Sequence, residues 1–416
     1  MSTVLNPVLA KLLGGSKLDS LPVAVKFWNG ERIGPDDARV TLTFKNASAL
    51  KVLLKPSAGK LTRAYVEETI DIEGALREVI AFGTSLRRVT IGRAAMPLLG
   101  AWHSLSSDRK AVQFHYDVSN DFYALWLDRN MVYSCGYFRG DADTLDEAQE
   151  QKLEHICRKL CLKPDDWLLD IGCGWGGLIL WAAEHYRARC VGITLSQKQH
   201  AYVSEKIRER GLDAYCEVRL ADYREVDSNE RFDKIASVGM FEHVGRRNLK
   251  TYFQQIHRLL EPGGLLLNHG ISASWAKGQA LTSEIGDFID RHVFPDGELV
   301  SIAEAIAEMS AVGLESRDVE SLRPHYAKTL WHWVERLDRS APTARELVGE
   351  RAYRICRIYM AGSAFAFERG WISVYQVLAG RPHSNGELPY PPTREHLYHD
   401  LTPPHATGRS SLAVMP

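Results

Sequence analysis

A chain of 416 residues, 45% hydrophobic and 25% charged, has the composition of an ordinary globular protein with room for two domains. Collagen, coiled coil, disulfide mini-protein and wholesale disorder are excluded. With 51 Lys+Arg against 52 Asp+Glu the net charge is −1, so no global charge recruits nucleic acid.

The charge is uneven along the chain. Residues 1–110 hold 16 basic and 10 acidic side chains, a balance of +6, which leaves 35 against 42, or −7, for the rest. A basic front section suits an anionic surface such as a lipid headgroup layer. Residues 1–107 are predicted to form a small N-terminal α/β domain associated with lipid, with strands at 23–28, 39–44 and 49–54. Residues 75–107 are predicted to be helical, and Arg77, Arg87, Arg88 and Arg93 among apolar residues suit a helix lying on a membrane. No stretch reaches the roughly 20 apolar residues of a span, and the N-terminus lacks the pattern of a signal peptide. The expected location is therefore cytoplasmic, with peripheral contact to the inner face of the membrane. Seven cysteines without framework spacing fit a reducing compartment. Cys157 and Cys161 stand at i, i+4, but no second ligand pair accompanies them, so no metal is expected.

From residue 145 helix and strand alternate. Helices are predicted at 145–162, 196–210, 248–260 and 302–311. Strands are predicted at 167–171, 190–193, 216–220, 232–238, 265–268 and 314–319. This alternation predicts a parallel, doubly wound α/β sheet in a domain spanning 108–380, with residues 272–300 as a cap over its carboxyl edge. The last 35 residues hold 7 of the 17 prolines, so 381–416 reads as an extended or disordered tail, its histidines incidental.

The most informative segment is Leu168-Leu-Asp-Ile-Gly-Cys-Gly-Trp-Gly-Gly177. A strand runs into glycines that permit a tight turn and a close backbone approach to a ligand, then into a helix. Gly172, Gly174 and Gly177 satisfy a dinucleotide fingerprint, but that match alone is weak. Asp170 before the turn would repel a pyrophosphate and suits the ammonium group of a methionine-like ligand. The next strand ends Ile193-Thr-Leu-Ser196, without the carboxylate a nicotinamide ribose needs. The combination fits S-adenosylmethionine. Asp222 and Tyr223, after the third strand, suit the exocyclic amine and the face of its adenine.

Further segments accompany this loop in a fixed order: His115-Tyr-Asp-Val-Ser-Asn120, Tyr133-Ser-Cys-Gly-Tyr-Phe138, Gly239-Met-Phe-Glu-His-Val-Gly245, His269-Gly-Ile271, Phe294-Pro-Asp-Gly297 and Pro324-His-Tyr-Ala-Lys-Thr-Leu330. Over about residues 111–380 the chain resembles the cyclopropane-fatty-acyl-phospholipid synthases and the relatives that modify mycolic acids. Residues 1–95 are similar to the extension of the phospholipid-acting members, which the mycolic-acid enzymes lack. The resemblance implies a Rossmann-like S-adenosylmethionine methyltransferase sheet with a helical cap. It also implies methylene transfer from S-adenosylmethionine to a cis double bond of unsaturated phospholipids in the bilayer, with bound bicarbonate as the base. The sequence does not fix the oligomeric state, and a homodimer is one of the assemblies it leaves open. Cofactor contacts carry over to Tyr133, Ser134, Gly172, Gly174, Thr194, Gln199, Asp222 and Tyr223. The bicarbonate set carries over to Cys135, Glu242, His269, Ile271 and Tyr326. Cys135, His269, Tyr326 and the Ile271 N–H would donate to the anion, and Glu242 would accept its hydroxyl. Phe241, Tyr137 and Trp331 are the aromatic candidates for a cationic intermediate. Where the family often carries a cysteine the chain has Ser363, so a covalent role there is not expected. A related enzyme leaving a methyl branch or a methylene would show the same loop and cap.

Overall fold

The structure, a computed structural model, describes residues 23–50, 52, 58–74, 76–85, 119–273 and 299–398. The expected cap falls almost entirely outside them, as do Arg87, Arg88, Arg93 and most of the His115–Asn120 motif.

The N-terminal unit contains β1 (Val23–Phe27), β2 (Arg32–Ile33), β3 (Val40–Phe44), α1 (Ala58–Val66), β4 (Ile70–Gly74) and α2 (Leu76–Ser85). Its sheet runs β2-β1-β3-β4, parallel only between β1 and β3. In β3, Val40, Leu42 and Phe44 are buried while Thr41 and Thr43 are half-exposed, the period of two expected of a strand covered on one face. No strand begins at residue 49. Ala47–Leu50 is a short 3₁₀ turn, because the Asn46 carboxamide oxygen accepts from the Ala49 N–H and the Ser48 hydroxyl and winds the chain locally. The edge strand β4 was not expected.

The unit docks on the C-terminal domain through buried arginines. Arg354 donates to the carbonyls of Tyr65 (2.9 Å) and Ile70 (3.3 Å) and pairs with Glu350 (2.5 Å) and Asp71 (3.2 Å). Arg357 forks onto Asp338 and reaches the Tyr65 hydroxyl. Arg77, placed by the sequence on a membrane-facing stretch, pairs with Glu368 and lies 5.2 Å over the Trp331 ring. That end of the stretch faces the C-terminal domain. Arg354→Met should leave these acceptors unpaired and cost about 3 kcal/mol, read as a lower denaturation midpoint and faster proteolytic release of the N-terminal unit. An unchanged midpoint would refute this account of docking.

The C-terminal domain follows with α3 (Asn120–Ala124), α4 (Leu145–Lys159), β5 (Trp167–Ile171), α5 (Gly177–Tyr186), β6 (Arg189–Thr194), α6 (Gln197–Glu209), β7 (Cys216–Leu220), β8 (Phe232–Val238), α7 (Leu249–Leu259), β9 (Leu260–Ala273), α8 (Ile302–Ala311), β10 (Glu315–Ser321), α9 (Arg323–Arg339), α10 (Ala341–Glu368), β11 (Ile372–Gly380) and α11 (Glu395–Tyr398). The sheet order is β10-β11-β9-β8-β5-β6-β7. Consecutive leucines 265–267 of β9 are all buried, as a central strand covered on both faces requires.

The sheet is mixed, not wholly parallel: β11 enters antiparallel to both β9 and β10. A single crossover helix returns the chain to the opposite end of the sheet, which makes the next strand parallel. Between β10 and β11 the chain forms two packed helices, α9 and α10, so it comes back to the edge it left. The sequence reading assigns no strand to 323–380 and therefore misses this reversal. Part of the expected tail is also pinned. Arg381 donates to the carbonyls of His257 and Leu260, Arg394 pairs with Asp318, and Leu397 of α11 is buried. Residues 399–416 lie outside the described residues.

Candidate active site

A cleft with about 1180 Å³ of unfilled space, its open mouth included, lies at the carboxyl ends of β5, β6, β7 and β8. The strand order reverses on either side of β5, the place where open α/β sheets bind ligands. All nine residues expected at the cofactor line it: Tyr133, Ser134, Asp170, Gly172, Gly174, Thr194, Gln199, Asp222 and Tyr223. Two glycines of the loop serve different ends. A Cβ on Gly177 would stand 2.8 Å from the Val132 side chain and 3.2 Å from the Asn130 carbonyl, so this glycine permits close packing of α5. Gly174, at φ +55°, has nothing within 4 Å of that position, so protein packing does not explain it.

Asp170, the last residue but one of β5, is deeply buried. Burial pushes its carboxyl up to about 7 against the pull of the Lys152 ammonium, and Oδ1 has no partner. Thr194 donates its hydroxyl to the Gln199 carboxamide (2.7 Å), which orients that side chain at the start of α6. Asp222 is engaged by both the Arg224 guanidinium (2.7 and 2.8 Å) and the Arg224 N–H (2.9 Å), so the carboxylate expected at the adenine is already oriented by its neighbour. Tyr223 is buried, 5.3 Å edge-on from Tyr252.

The second set gathers around β9. His269 and Ile271 are two residues apart and share a face of that strand. Glu242, on the short turn after β8, accepts from the Ile271 N–H at 2.6 Å. That N–H, expected to donate to a bound anion, is therefore used within the protein. Burial pushes Glu242 up to about 7, and its Oε2 has no partner. Gln376 of β11 sits opposite His269 in the ladder, with its NH₂ 3.2 Å from Nδ1. In this amide orientation Nδ1 must accept, so the ring proton is on Nε2, which is buried and without a partner. Burial, with the nearby Lys152 and Lys159 ammoniums, presses His269 down to about 3, so the imidazole is neutral. Cys135 is fully buried, its thiol pushed up by burial and directed at the carbonyls of Gly136 (3.2 Å) and Leu322 (3.7 Å). Cys135, Ile271 and Tyr326 pack in one apolar cluster with Tyr133, which lines the cleft.

The aromatic candidates are elsewhere than expected. Tyr137 is stacked between His155 (4.3 Å) and His325 (5.0 Å). Trp331 donates to Glu368 at the domain contact, and Phe241 packs against Gly270 in the sheet core. The aromatic wall near the site is instead Trp126, Tyr133, Trp333, Tyr326 and Phe367. Tyr133 lies 5.2 Å from Trp333, and Tyr326 lies 4.7 Å from Phe367. Sequence reasoning also missed Lys152, which is buried and lines the cleft, because a lysine on a helix reads as solvent-facing. Among the described residues no cluster suits a metal ion.

The α/β fold is that of solved S-adenosylmethionine methyltransferases, and the chain is an S-adenosylmethionine-dependent methyltransferase. Residues 103–377 match the family described as mycolic acid cyclopropane synthetase, and residues 9–89 match a domain of unknown function. The chain belongs to the mycolic acid cyclopropane synthetase family. It is 43% identical to the Pseudomonas putida protein named "Probable fatty acid methyltransferase", over 94% of this chain and 100% of that one. It is 39% identical to the Escherichia coli cyclopropane-fatty-acyl-phospholipid synthase, over 65% of this chain and 68% of that one. Among solved structures it is similar to the Mycobacterium tuberculosis cyclopropane synthase MmaA2 at 35% identity and TM-score 0.63, covering 66% of this chain and 98% of that one. It is also similar to a mycolic acid cyclopropane synthase complexed with SAH, at 37% identity and TM-score 0.62, covering 65% and 97%.

Proposed function

We propose that this enzyme transfers a methylene group from S-adenosylmethionine to the cis double bond of unsaturated phospholipid acyl chains and closes a cyclopropane ring, with bicarbonate as the base. The observation that carries the reading is two orphaned groups linked through β9: His269 Nε2–H, a buried donor two residues before Ile271, and Glu242 Oε2, a buried acceptor on the carboxylate that the Ile271 N–H holds, neither with a protein partner. A buried donor and acceptor left unpaired each cost about 1–3 kcal/mol. A small anion that carries a hydroxyl has the complementary chemistry, an acceptor for the one and a donor for the other, and bicarbonate is such an anion.

S-adenosylmethionine supplies an electrophilic methyl group, and bicarbonate supplies a base for the proton that must leave before a ring can close. The chain's residues do the rest. Tyr133, Ser134, Asp170, Gly172, Gly174, Thr194, Gln199, Asp222 and Tyr223 seat the cofactor. Glu242, held by the Ile271 N–H, presents one carboxylate oxygen as an acceptor. His269, oriented by Gln376, presents a neutral N–H. Tyr326 stands in the same apolar cluster as Ile271, whereas the Cys135 thiol, expected to donate to the anion, is directed at the Gly136 and Leu322 carbonyls. The wall of Trp126, Tyr133, Trp333 and Phe367 excludes water and offers π faces to positive charge. A phospholipid substrate is supported by the name of the Escherichia coli relative and by the N-terminal unit. Among the described residues no helix is long and apolar enough to cross a membrane. The +6 balance of residues 1–110 supports contact at the bilayer surface.

The Pseudomonas putida relative's name favours a second reading, a methyl-branched or methylene product. The test is purified protein with S-adenosylmethionine and vesicles of monounsaturated phosphatidylglycerol or phosphatidylethanolamine. Ring and methylene add the same mass, so the acyl chains are read by proton NMR. Upfield cyclopropyl protons are expected. Olefinic methylene or methyl-branch signals in their place would overturn the ring-closing reading, and no acyl modification would overturn the substrate class.

A further inference from the structure

Lys152 is nearly the least expected residue in the cleft. A buried lysine is costly unless something in its surroundings uses its charge, and this one lines the wall of a site expected to receive a sulfonium. Its Nζ donates to the Ser134 hydroxyl at 2.9 Å. The Ser134 carbonyl is fixed separately by the Gln149 carboxamide at 2.8 Å, so the serine is positioned at both ends.

The chemistry of that contact has a direction. An ammonium only donates, so the Ser134 oxygen must accept from it. The serine's own proton is then turned away from Lys152. Among the described residues no group accepts it, and Ser134 faces the cleft. What the cleft offers at this wall is therefore an O–H donor backed by a positive charge, the complement of a carboxylate. Asp170, on the same wall, offers the complement of an ammonium. Lys152 and Asp170 interact electrostatically, so opposite charges lie side by side, as they do in the zwitterionic end of an amino acid.

We infer that Lys152 is the positioning residue for the carboxylate end of the cofactor, acting through the Ser134 hydroxyl while Asp170 takes the ammonium. The inference rests on the S-adenosylmethionine reading of the cleft. Burial pushes Lys152 down to about 8 although Asp128 and Asp170 favour its charged form, so a carboxylate arriving beside it would draw the proton back on.

Calorimetry with S-adenosylhomocysteine and with its decarboxylated analogue, which keeps the ammonium, tests this without turnover. In Lys152→Met, S-adenosylhomocysteine affinity should fall about ten- to a hundredfold, the range of a lost charge-assisted hydrogen bond. The decarboxylated analogue should bind as it does to wild type. Lys152→Gln, which keeps a donor to Ser134 but no charge, should lose less. Equal losses for both ligands would make Lys152 merely structural, and no loss for either would overturn the inference. If neither variant folds, wild type decides. Affinity for the desamino analogue, which has only the carboxylate, should fall between pH 8 and pH 10 while methylthioadenosine binding stays flat, and a flat profile for both would overturn it. Failure of every adenosyl ligand to bind wild type would instead overturn the cofactor reading itself.

Discussion

Glu242→Gln is expected to lower turnover by about 10²–10⁴, the usual worth of assistance to a proton transfer, while the protein melts no earlier than wild type at pH 8. Glutamine has the same size and can still accept from the Ile271 N–H, but its other end donates where the carboxylate accepts. A hydroxyl-bearing anion would then face one donor from His269 and another from the introduced carboxamide. The stability half follows from linkage. The folded-state carboxyl sits at about 7 against an ordinary 4.5 because it is buried. The folded state therefore binds the proton more tightly than the unfolded state, and this group's contribution to stability falls as pH rises through that window. Above pH 7 the wild type carries a buried carboxylate that the variant does not. Melting curves at pH 5 and pH 8 should converge at the lower value and favour the variant at the higher. Activity of wild type should drop when dissolved CO₂ and bicarbonate are removed, and should recover when they are restored. A fully active variant together with indifference to bicarbonate would mean that another base closes the ring.

Gly174→Val should abolish measurable binding of S-adenosylhomocysteine, a loss of at least about a hundredfold. Nothing in the protein occupies the space a side chain would take there, and the residue lines the cleft. A branched side chain would project into that open space, and the φ of +55° adds about 1–2 kcal/mol of backbone strain for any L-residue. The fold should survive, since the strain is local and no core contact is displaced. Gly177→Val is the contrast: its side chain would meet Val132 and the Asn130 carbonyl, so destabilisation is expected together with loss of binding. Unchanged affinity in Gly174→Val would remove the glycine loop from the cofactor site.

The glycine loop, the strand–helix alternation from 145 to 268 and the cofactor that fits them were legible in the sequence because each is a local signal. A turn needs its glycines within a few positions, and a strand or helix announces its period within one element. The segments that carry the family are equally local, so Glu242, His269 and Tyr326 could be named from them. What could not be read locally is what covers what. Helix α4 shows the limit. Leu145, Ala148, Leu153, Ile156 and Cys157 read as its packed face and Gln149, Lys152, His155 and Lys159 as its wet one, yet all nine are buried. The second face is covered by parts of the chain distant in sequence. Ser134 meets Lys152, His155 lies 2.7 Å from Glu320, and Lys159 pairs with Asp318 and Glu320. Against the cost of burial, His155 and Lys159 together hold Glu320 down to about 2. The antiparallel entry of β11 brings Gln376 to His269, 107 residues away, and thereby sets which imidazole nitrogen carries the proton. Burial and its electrostatic consequences depend on long-range packing, so only the tertiary structure decides that a lysine becomes part of a cofactor wall, a carboxyl rises to about 7 and an expected backbone donor is already taken.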